Sequence, residues 1–200
     1  MRILVATGAS GGHIFPALSF LSSLKEKNSG IEGLLVLPLR SSGIKFQTAD
    51  FKVRYISMPK LALAINIKNS LVLFKFIQAW VESFFILLSF KPDVVVGFGT
   101  IDSLPLVMLA WFLRVKTLIH EQNVIPGRAN KLLAKFSDAI AVSFAKTKDY
   151  LRVDIAKISV TGNPLRRELK RIDRDEAWEF FGFEPGKFTL LVMGGSQGSH

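Results

Sequence analysis

The first candidate for chemistry is a glycine-rich segment near the start of the chain. Residues 8–13 read GASGGH, directly after an aliphatic run and before a helical pattern with Pro16 near its first turn. Glycines let the backbone approach a ligand, and a helix N-terminus offers free amides and a positive dipole to a phosphate or pyrophosphate. His13 is a candidate general base because histidine exchanges protons near neutral pH. A tight turn with a packing histidine is the alternative.

Further polar segments follow other predicted strands. Residues 97–103 read GFGTIDS and predict a second anion-binding loop, or a plain strand-to-helix turn. Residues 120–130 read HEQNVIPGRAN, whose amides and carboxylate suit sugar hydroxyls. Residues 161–166 read TGNPLR, which places Arg166 to meet a phosphate or carboxylate. A last glycine loop, GGSQG, occupies residues 194–198.

Several other kinds of site are excluded by spacing. The dinucleotide fingerprint G-x-G-x-x-G is absent, and no Lys-Ser or Lys-Thr follows a glycine loop as in a P-loop. Arg40, after the second predicted strand, leaves an NADP enzyme as an alternative. The one D-x-D, at 173–175, is better explained as a helix cap with an acidic first turn. Without cysteine and without a histidine pair, we predict no metal site and no cofactor.

Composition indicates an anionic partner. The 200 residues include 26 Lys and Arg against 16 Asp and Glu, a net charge of +10. Mean hydropathy is +0.33, high for a basic protein. Basic and apolar character together favour a membrane surface over nucleic acid.

The elements that must position these loops alternate between short apolar runs and longer helical patterns. The predicted strands are Ile3–Thr7, Gly33–Leu37, Lys52–Ser57, Asp93–Gly97, Thr117–His120, Ala139–Ser143, Ile158–Thr161 and Thr189–Met193. The predicted helices are Phe15–Lys27, Ile67–Phe90, Ser103–Phe112 and Arg128–Phe136. Continuous apolar strands alternating with helices predict an α/β fold with a doubly wound, Rossmann-like parallel sheet.

Residues 71–90 are apolar over twenty positions, long enough to span a bilayer. Lys75, Gln78 and Glu82 lie three and four residues apart, so they share one helical face and would be costly inside lipid. We therefore expect a helix packed on the sheet, with the apolar residues from 61 onward either in the core or docked on anionic lipid. The lysines expected around that surface are Lys60, Lys68, Lys75 and Lys91.

The two ends of the chain differ in amino-acid composition. The apolar run at the start of the chain is too short for a secretory signal, so we expect a cytoplasmic chain. Residues 166–179 are highly charged and read as a linker with a short helix, before a new strand and glycine loop. We predict a first domain at 1–163 and the opening of a second, truncated domain at 164–200.

The four segments 8–13, 120–130, 161–166 and 194–198, in this order and spacing, resemble the MurG family of glycosyltransferases. The resemblance implies a GT-B fold and inverting, metal-independent transfer of N-acetylglucosamine from UDP-N-acetylglucosamine to lipid I, undecaprenyl-pyrophosphoryl-N-acetylmuramoyl-pentapeptide, giving lipid II. It implies an N-terminal domain on the cytoplasmic face of the bacterial membrane that binds the acceptor and the anionic inner leaflet. The donor domain is then expected in cis or in trans, and nucleic acid is not expected as a partner.

The resemblance also assigns site residues. Those that match donor-contacting positions are Ser10, Gly11, Gly12, Asn123, Arg166 and Ser196. His13 matches the family's proposed base or acceptor-site histidine. Further candidates in the cleft are Glu121, Gly97, Gly99 and Gln197.

The second loop departs from the family pattern G-x-G-G-Y, since Thr100 and Ile101 replace its last two residues. Asp102 adds negative charge beside a position expected to meet a pyrophosphate. We expect the 200-residue chain to be inactive alone. The alternatives are an acceptor-binding subunit of a split transferase, like the eukaryotic two-subunit enzyme of dolichol-linked sugars, or another GT-B glycolipid transferase.

Overall fold

The computed structural model describes residues 1–41, 51–59, 70–166, 169, 173–184 and 187–192. The chain divides into two units, Met1–Leu165 and Arg166–His200. Lys60, Lys68, Ser196 and Gln197 lie outside the described residues, as does the segment 61–67.

A parallel sheet forms the centre of the first unit. Its strands are β1 (Arg2–Thr7), β2 (Glu32–Pro38), β3 (Lys52–Ile56), β4 (Val94–Phe98), β5 (Lys116–Glu121), β6 (Ala139–Val142) and β7 (Ile158–Val160). They pair in the order β3-β2-β1-β4-β5-β6-β7, parallel at every step. The prediction of a doubly wound sheet is confirmed, with its first seven strands each within two residues of the predicted bounds.

Helices cover both faces of this sheet. They are α1 (Gly11–Lys27), α2 (Ser70–Phe90), α3 (Leu104–Phe112) and α4 (Arg128–Leu133). One apolar cluster joins α1 to one sheet face, and a second joins α2, α3 and α4 to the other. The helix α1 begins four residues earlier than predicted, which places His13 inside its first turn.

The strand order reverses direction between β1 and β4. From β1 the chain proceeds outward through β2 to β3, and β4 then starts the other half of the sheet on the opposite side of β1. In open α/β sheets the loops at such a reversal part, and they leave a crevice at the carboxyl ends of the strands. The loops after β1 and β4 are the two glycine-rich segments.

The long helix α2 is held on the sheet by its polar side chains. Glu82 accepts hydrogen bonds from the backbone amide of Ser57 at 2.6 Å and from its hydroxyl at 2.8 Å, just after β3. Gln78 donates to the Ser57 hydroxyl at 3.1 Å and to Glu82 at 2.7 Å. Gln78 and Glu82 of the predicted polar stripe are therefore satisfied against the end of β3, whereas Lys75 is exposed, as is an apolar face of α2.

The second unit contains one described helix, α5 (Arg174–Phe181). Asp173 caps it by accepting from the amide of Asp175 at 2.9 Å, and Asp175 and Glu176 stand in the first turn, as predicted for the D-x-D. The strand predicted at 189–193 is wrong over its described part, because residues 189–192 are in no strand. A strand needs a hydrogen-bonded neighbour, and the described residues of this unit supply none.

Candidate functional site

The carboxyl edge of the sheet gathers most of the predicted site residues. The order β1-β4-β5-β6-β7 puts the loops that follow these strands next to one another. His13 follows β1, the second glycine loop follows β4, and Gln122 and Asn123 follow β5. A single edge therefore presents the amides, the imidazole and the carboxamides that sequence analysis singled out in the first unit.

The first glycine loop leaves its amides open. Ser10 caps α1 in an extended conformation, and its carbonyl accepts from the amides of His13 and Ile14 at 3.0 Å each. The amides of Gly11 and Gly12 precede these bonds and have no partner within the helix. A Cβ added at Gly12 would meet nothing within 4 Å. This helix end can therefore receive an anion, with the exposed Ser10 hydroxyl beside it.

The second glycine loop is filled by its own side chains. The Asp102 amide donates to Oγ1 of Thr100 at 3.3 Å, and Oγ1 donates to the Asp102 carboxylate at 3.1 Å. The Ser103 amide donates to the Thr100 carbonyl at 3.3 Å. Two amides of this loop, those of Asp102 and Ser103, are therefore already paired and less available to an anion, and the second anion-binding loop stays a prediction.

Arg40 neutralises the charge of Asp102. Its Nη2 lies 2.7 Å from both carboxylate oxygens, and its Nη1 donates to the Met58 carbonyl at 2.9 Å. Asp102 is only 2% exposed, so the carboxylate of this ion pair is buried, whereas Arg40 is partly exposed. Two expectations are corrected: Arg40 is engaged here and is not placed for a 2′-phosphate, and Asp102 presents no uncompensated negative charge.

Glu121 organises the loop after β5. Its Oε1 accepts from the backbone amide of Asn123 at 2.8 Å and from the Asn123 side chain at 3.2 Å. Its Oε2 accepts from the Gly127 amide at 3.1 Å and from the Asn130 side chain at 2.8 Å. The buried carboxylate thus acts as an internal clamp, and it fixes the exposed Asn123 at the edge of the sheet.

His120 links this loop to the end of β7. Its Nε2 lies 3.0 Å from the Gly162 carbonyl, and its ring stacks on Phe98 with 5.1 Å between centroids. Burial lowers the pKa of His120, against the raising effects of the Gly162 hydrogen bond and the Glu121 charge. A carbonyl only accepts, so Nε2 carries the proton of the neutral ring and Nδ1 is the bare nitrogen.

Buried polar atoms without partners concentrate along this edge. Within the described residues they are Thr7 Oγ1, His13 Nδ1, His120 Nδ1, Gln122 Oε1 and Nε2, Asn130 Oδ1 and Ser143 Oγ, with Trp80 Nε1 on α2 apart from them. Buried polar groups in folded proteins are nearly always paired, so such a cluster indicates a surface completed by water, by a ligand or by a small rearrangement. Thr7 and Ser143 were not singled out by sequence, and Gln122 only as part of the segment 120–130, although each stands at or after the end of a strand.

The remaining predicted residues are two glycines at the end of β4, Arg166 in the second unit, and Ser196 and Gln197 outside the described part of the chain. Gly97 is inside β4, where an added Cβ would come within 2.8 Å of Val107, so it serves helix-to-sheet packing. Gly99 is buried in the second loop with a φ of +68°. Arg166 begins the second unit. No group of three potential metal ligands occurs among the described residues.

Residues 3–142 match the glycosyltransferase family 28 N-terminal domain. The chain belongs to glycosyltransferase family 28. Curated relatives named UDP-N-acetylglucosamine–N-acetylmuramyl-(pentapeptide) pyrophosphoryl-undecaprenol N-acetylglucosamine transferase align over the whole chain. The one from Alkaliphilus metalliredigens is 34% identical and the one from Desulforamulus reducens 36%, and the alignment covers 100% of this chain and 54% of each relative.

Solved structures agree with this family 28 assignment at the level of the fold. MurG of Acinetobacter baumannii superposes with a TM-score of 0.67 at 21% identity, over 83% of this chain and 46% of that one. UDP-GlcNAc 2-epimerase from Neisseria meningitidis, bound to UDP-GlcNAc, superposes with a TM-score of 0.59 at 18% identity, over 82% of this chain and 47% of that one. The resemblance to the MurG family is confirmed, and the chain spans about half the length of the curated relatives it matches.

Proposed function

We propose that this chain forms the acceptor-side half of an enzyme that transfers N-acetylglucosamine from UDP-N-acetylglucosamine to lipid I, giving lipid II. The observation that carries the proposal is the carboxyl edge of the sheet, where the open amides of the first loop, His13 and Asn123 come together in a chain related throughout to enzymes of that name. In this proposal residues 1–163 bind acceptor and membrane, and residues 164–200 open the donor-binding domain.

The chemistry needs a base and a site for negative charge. The C4 hydroxyl of the muramoyl sugar attacks the anomeric carbon, a new C–O bond forms, and the bond to the UDP oxygen breaks. The hydroxyl proton goes to His13, and the charge that builds on the departing diphosphate is stabilised by fixed dipoles. We assign that stabilisation to Ser10 and the amides of Gly11 and Gly12, with Asn123 on a sugar hydroxyl and no metal ion.

The second unit contributes the remaining proposed donor contacts. Arg166 is assigned to the diphosphate and Ser196 to the donor, and Gln197 is a further candidate in the cleft. These assignments rest on the resemblance and on the chemistry of a guanidinium, which pairs with phosphate in bidentate fashion.

A reconstitution assay tests the reaction. We expect no turnover by the 200-residue chain alone, and turnover of UDP-N-acetylglucosamine with a lipid I analogue once the C-terminal half of the Alkaliphilus relative is supplied, fused or separate. In that active form, His13→Ala lowers kcat by about 10²- to 10⁴-fold while donor binding changes little. Ser23→Ala, on the exposed face of α1, is the matched control. An unchanged kcat in His13→Ala removes His13 from the chemistry.

We also propose that the exposed face of α2 docks on the cytoplasmic leaflet. Apolar side chains on this face recur every three or four residues, and only Lys75 brings charge to it. They are Leu71, Phe74, Ile77, Val81, Phe84, Phe85 and Leu88, each more than a third exposed. The described helix is long and apolar enough to cross a membrane, with 22% of that window buried. The Glu82 and Gln78 bonds to Ser57 favour a helix that stays on the sheet and lies against lipid.

Vesicle binding tests the docking face. We expect the chain to bind phosphatidylglycerol vesicles in a salt-sensitive manner, and the double variant Phe74→Gln/Phe85→Gln to bind at least about tenfold more weakly, since two exposed aromatic rings no longer enter the lipid. Ile155→Gln, also exposed but off α2, serves as the control. Equal binding by the double variant, or equal binding to neutral vesicles in high salt, contradicts the proposal.

A further inference from the structure

The space over Gly99 brings His13 and Gln122 together. A Cβ placed on Gly99 would lie 3.3 Å from Nδ1 and 3.2 Å from Cε1 of His13, and 3.4 Å from Oε1 of Gln122. The imidazole edge and the amide oxygen therefore approach the same point from two different loops. Only a glycine leaves that point empty.

Both groups are enclosed and lack partners. His13 Nδ1 and both polar atoms of the Gln122 amide are shielded from water and form no hydrogen bond to any described residue. The other imidazole nitrogen, Nε2, is not among the buried atoms without a partner, and His13 as a whole is partly exposed. A buried donor or acceptor left unpaired costs about 1–3 kcal/mol, which favours any small motion that joins the two groups.

We propose that Gln122 is the positioning residue for His13: its amide oxygen accepts the proton on Nδ1 and thereby leaves Nε2 bare toward the substrate. The inference rests on the proposed role of His13 as the base. A neutral imidazole has one N–H, so a hydrogen bond that holds it on Nδ1 makes Nε2 the basic nitrogen. The reverse arrangement, with the amide NH₂ donating to Nδ1, would put the proton on Nε2 and block proton uptake there.

The surroundings hold both partners in place. Glu121 bonds the backbone amides on the far side of Gln122, at Asn123 and Gly127, and so locks the loop that carries it. His13 stands in the first turn of α1, where its amide bonds the Ser10 carbonyl. Gly99 has a φ of +68°, a backbone conformation that other residues rarely adopt, which favours a residue without a side chain between the two.

The tautomer of His13 is measurable without substrate. In the ¹⁵N-labelled 200-residue chain, two-bond ¹⁵N–¹H correlations at alkaline pH distinguish a protonated from a bare ring nitrogen, and His13→Asn assigns the signal among three histidines. We expect His13 with the proton on Nδ1. We expect Gln122→Met, similar in length but without an acceptor oxygen, to lose that preference, and Gln122→Glu to retain it. Val124→Ala, in the same loop, leaves it unchanged.

Two results overturn the inference: a proton on Nε2 in the unsubstituted chain, or a His13 tautomer that is the same in Gln122→Met. In the reconstituted enzyme, Gln122→Met lowers kcat about tenfold or more at unchanged KM, and Gln122→Glu restores part of it. If the tautomer depends on Gln122 but His13→Ala leaves kcat intact, the pairing stands and the proposed base fails. The two hypotheses are thus separated.

Discussion

The two glycine-rich loops share a position in the fold but differ in what they offer a ligand. Each follows a parallel strand at the same edge and opens a helix. The first loop carries no side chain that caps its amides, and the space over Gly12 is open. In the second loop Thr100, Asp102 and Ser103 bond the loop to itself. Side chains inside a loop therefore decide whether its amides are available, and the count of glycines does not.

The second loop instead packs against the first loop and supports its conformation. Thr100 stands at φ +64° and ψ 159°, a region that is almost exclusive to glycine. Its bond to Asp102, and the ion pair of Asp102 with Arg40, hold this strained residue. Its side chain lies directly against Gly8 at the start of the first loop. Thr100 thus packs a loop that bonds to itself against a loop whose amides are open.

The largest expected effect comes from pushing the two loops apart. A Cβ at Gly8 would lie 2.5 Å from both Oγ1 and Cγ2 of Thr100, a stiff β-branched side chain. We therefore expect Gly8→Ala to lower the free energy of unfolding by about 3 kcal/mol, measured by urea denaturation.

The matched control removes the Thr100 side chain that the new methyl group would meet. In Gly8→Ala/Thr100→Gly the new methyl group takes the place of the lost side chain, and the positive φ at position 100 no longer carries strain. Most of the lost stability should return, which gives a large coupling in a double-mutant cycle. A double variant as unstable as Gly8→Ala alone would show that the loops are not in this contact.

The next effect concerns the ion pair under the second loop. Arg40→Met leaves the Asp102 carboxylate buried without its counter-charge, and we expect a loss of about 2 kcal/mol, since Arg40 itself is partly exposed. Hydrogen exchange should quicken at the Asp102 and Ser103 amides and stay unchanged at Gly11 and Gly12.

A surface pair supplies the comparison for this variant. Lys52 lies 3.4 Å from Glu32 with both side chains well exposed, so Lys52→Met should change stability by no more than about 0.5 kcal/mol. Equal losses in Arg40→Met and Lys52→Met would mean that Asp102 does not depend on Arg40.

Strands and loop positions followed from local pattern. Continuous apolar runs such as Val94–Phe98 indicate strands covered on both faces, and the alternation with helices places all the following loops at one edge. The candidate residues His13 and Asn123 could be located there without coordinates. The cap at Asp173 was likewise predictable, because a capping acid acts on the next few residues only.

Features that depend on distant pairing were not predictable. Arg40 and Asp102 are 62 positions apart, and nothing near either residue indicates that the two meet. The exposure of one α2 face depends on Ser57, which lies 25 residues before Glu82. Gln122 stood within a polar segment in which the resemblance assigned roles only to Glu121 and Asn123, and packing alone distinguishes it.

The smallest expected effect is a pH dependence beside the second loop, where His120 stacks on Phe98. Burial lowers the pKa of His120 in the folded chain, while the unfolded ring titrates near its ordinary value of about 6.5. Below that pH the unfolded state binds the proton and the folded state does not. The free energy of unfolding therefore falls as pH drops from about 6.5 toward the folded pKa, by at most about 1.4 kcal/mol per pH unit.

The variant His120→Gln isolates this contribution, because every other titrating group is common to both chains. Its amide can still donate to the Gly162 carbonyl, so the shape of the site is largely kept. In urea titrations between about pH 7 and pH 5 we expect the unsubstituted chain to lose stability more steeply than the variant. Identical slopes would mean that His120 takes up a proton as readily in the folded chain as in the unfolded one. The second loop would then be packed less tightly around His120 than its stacking on Phe98 indicates.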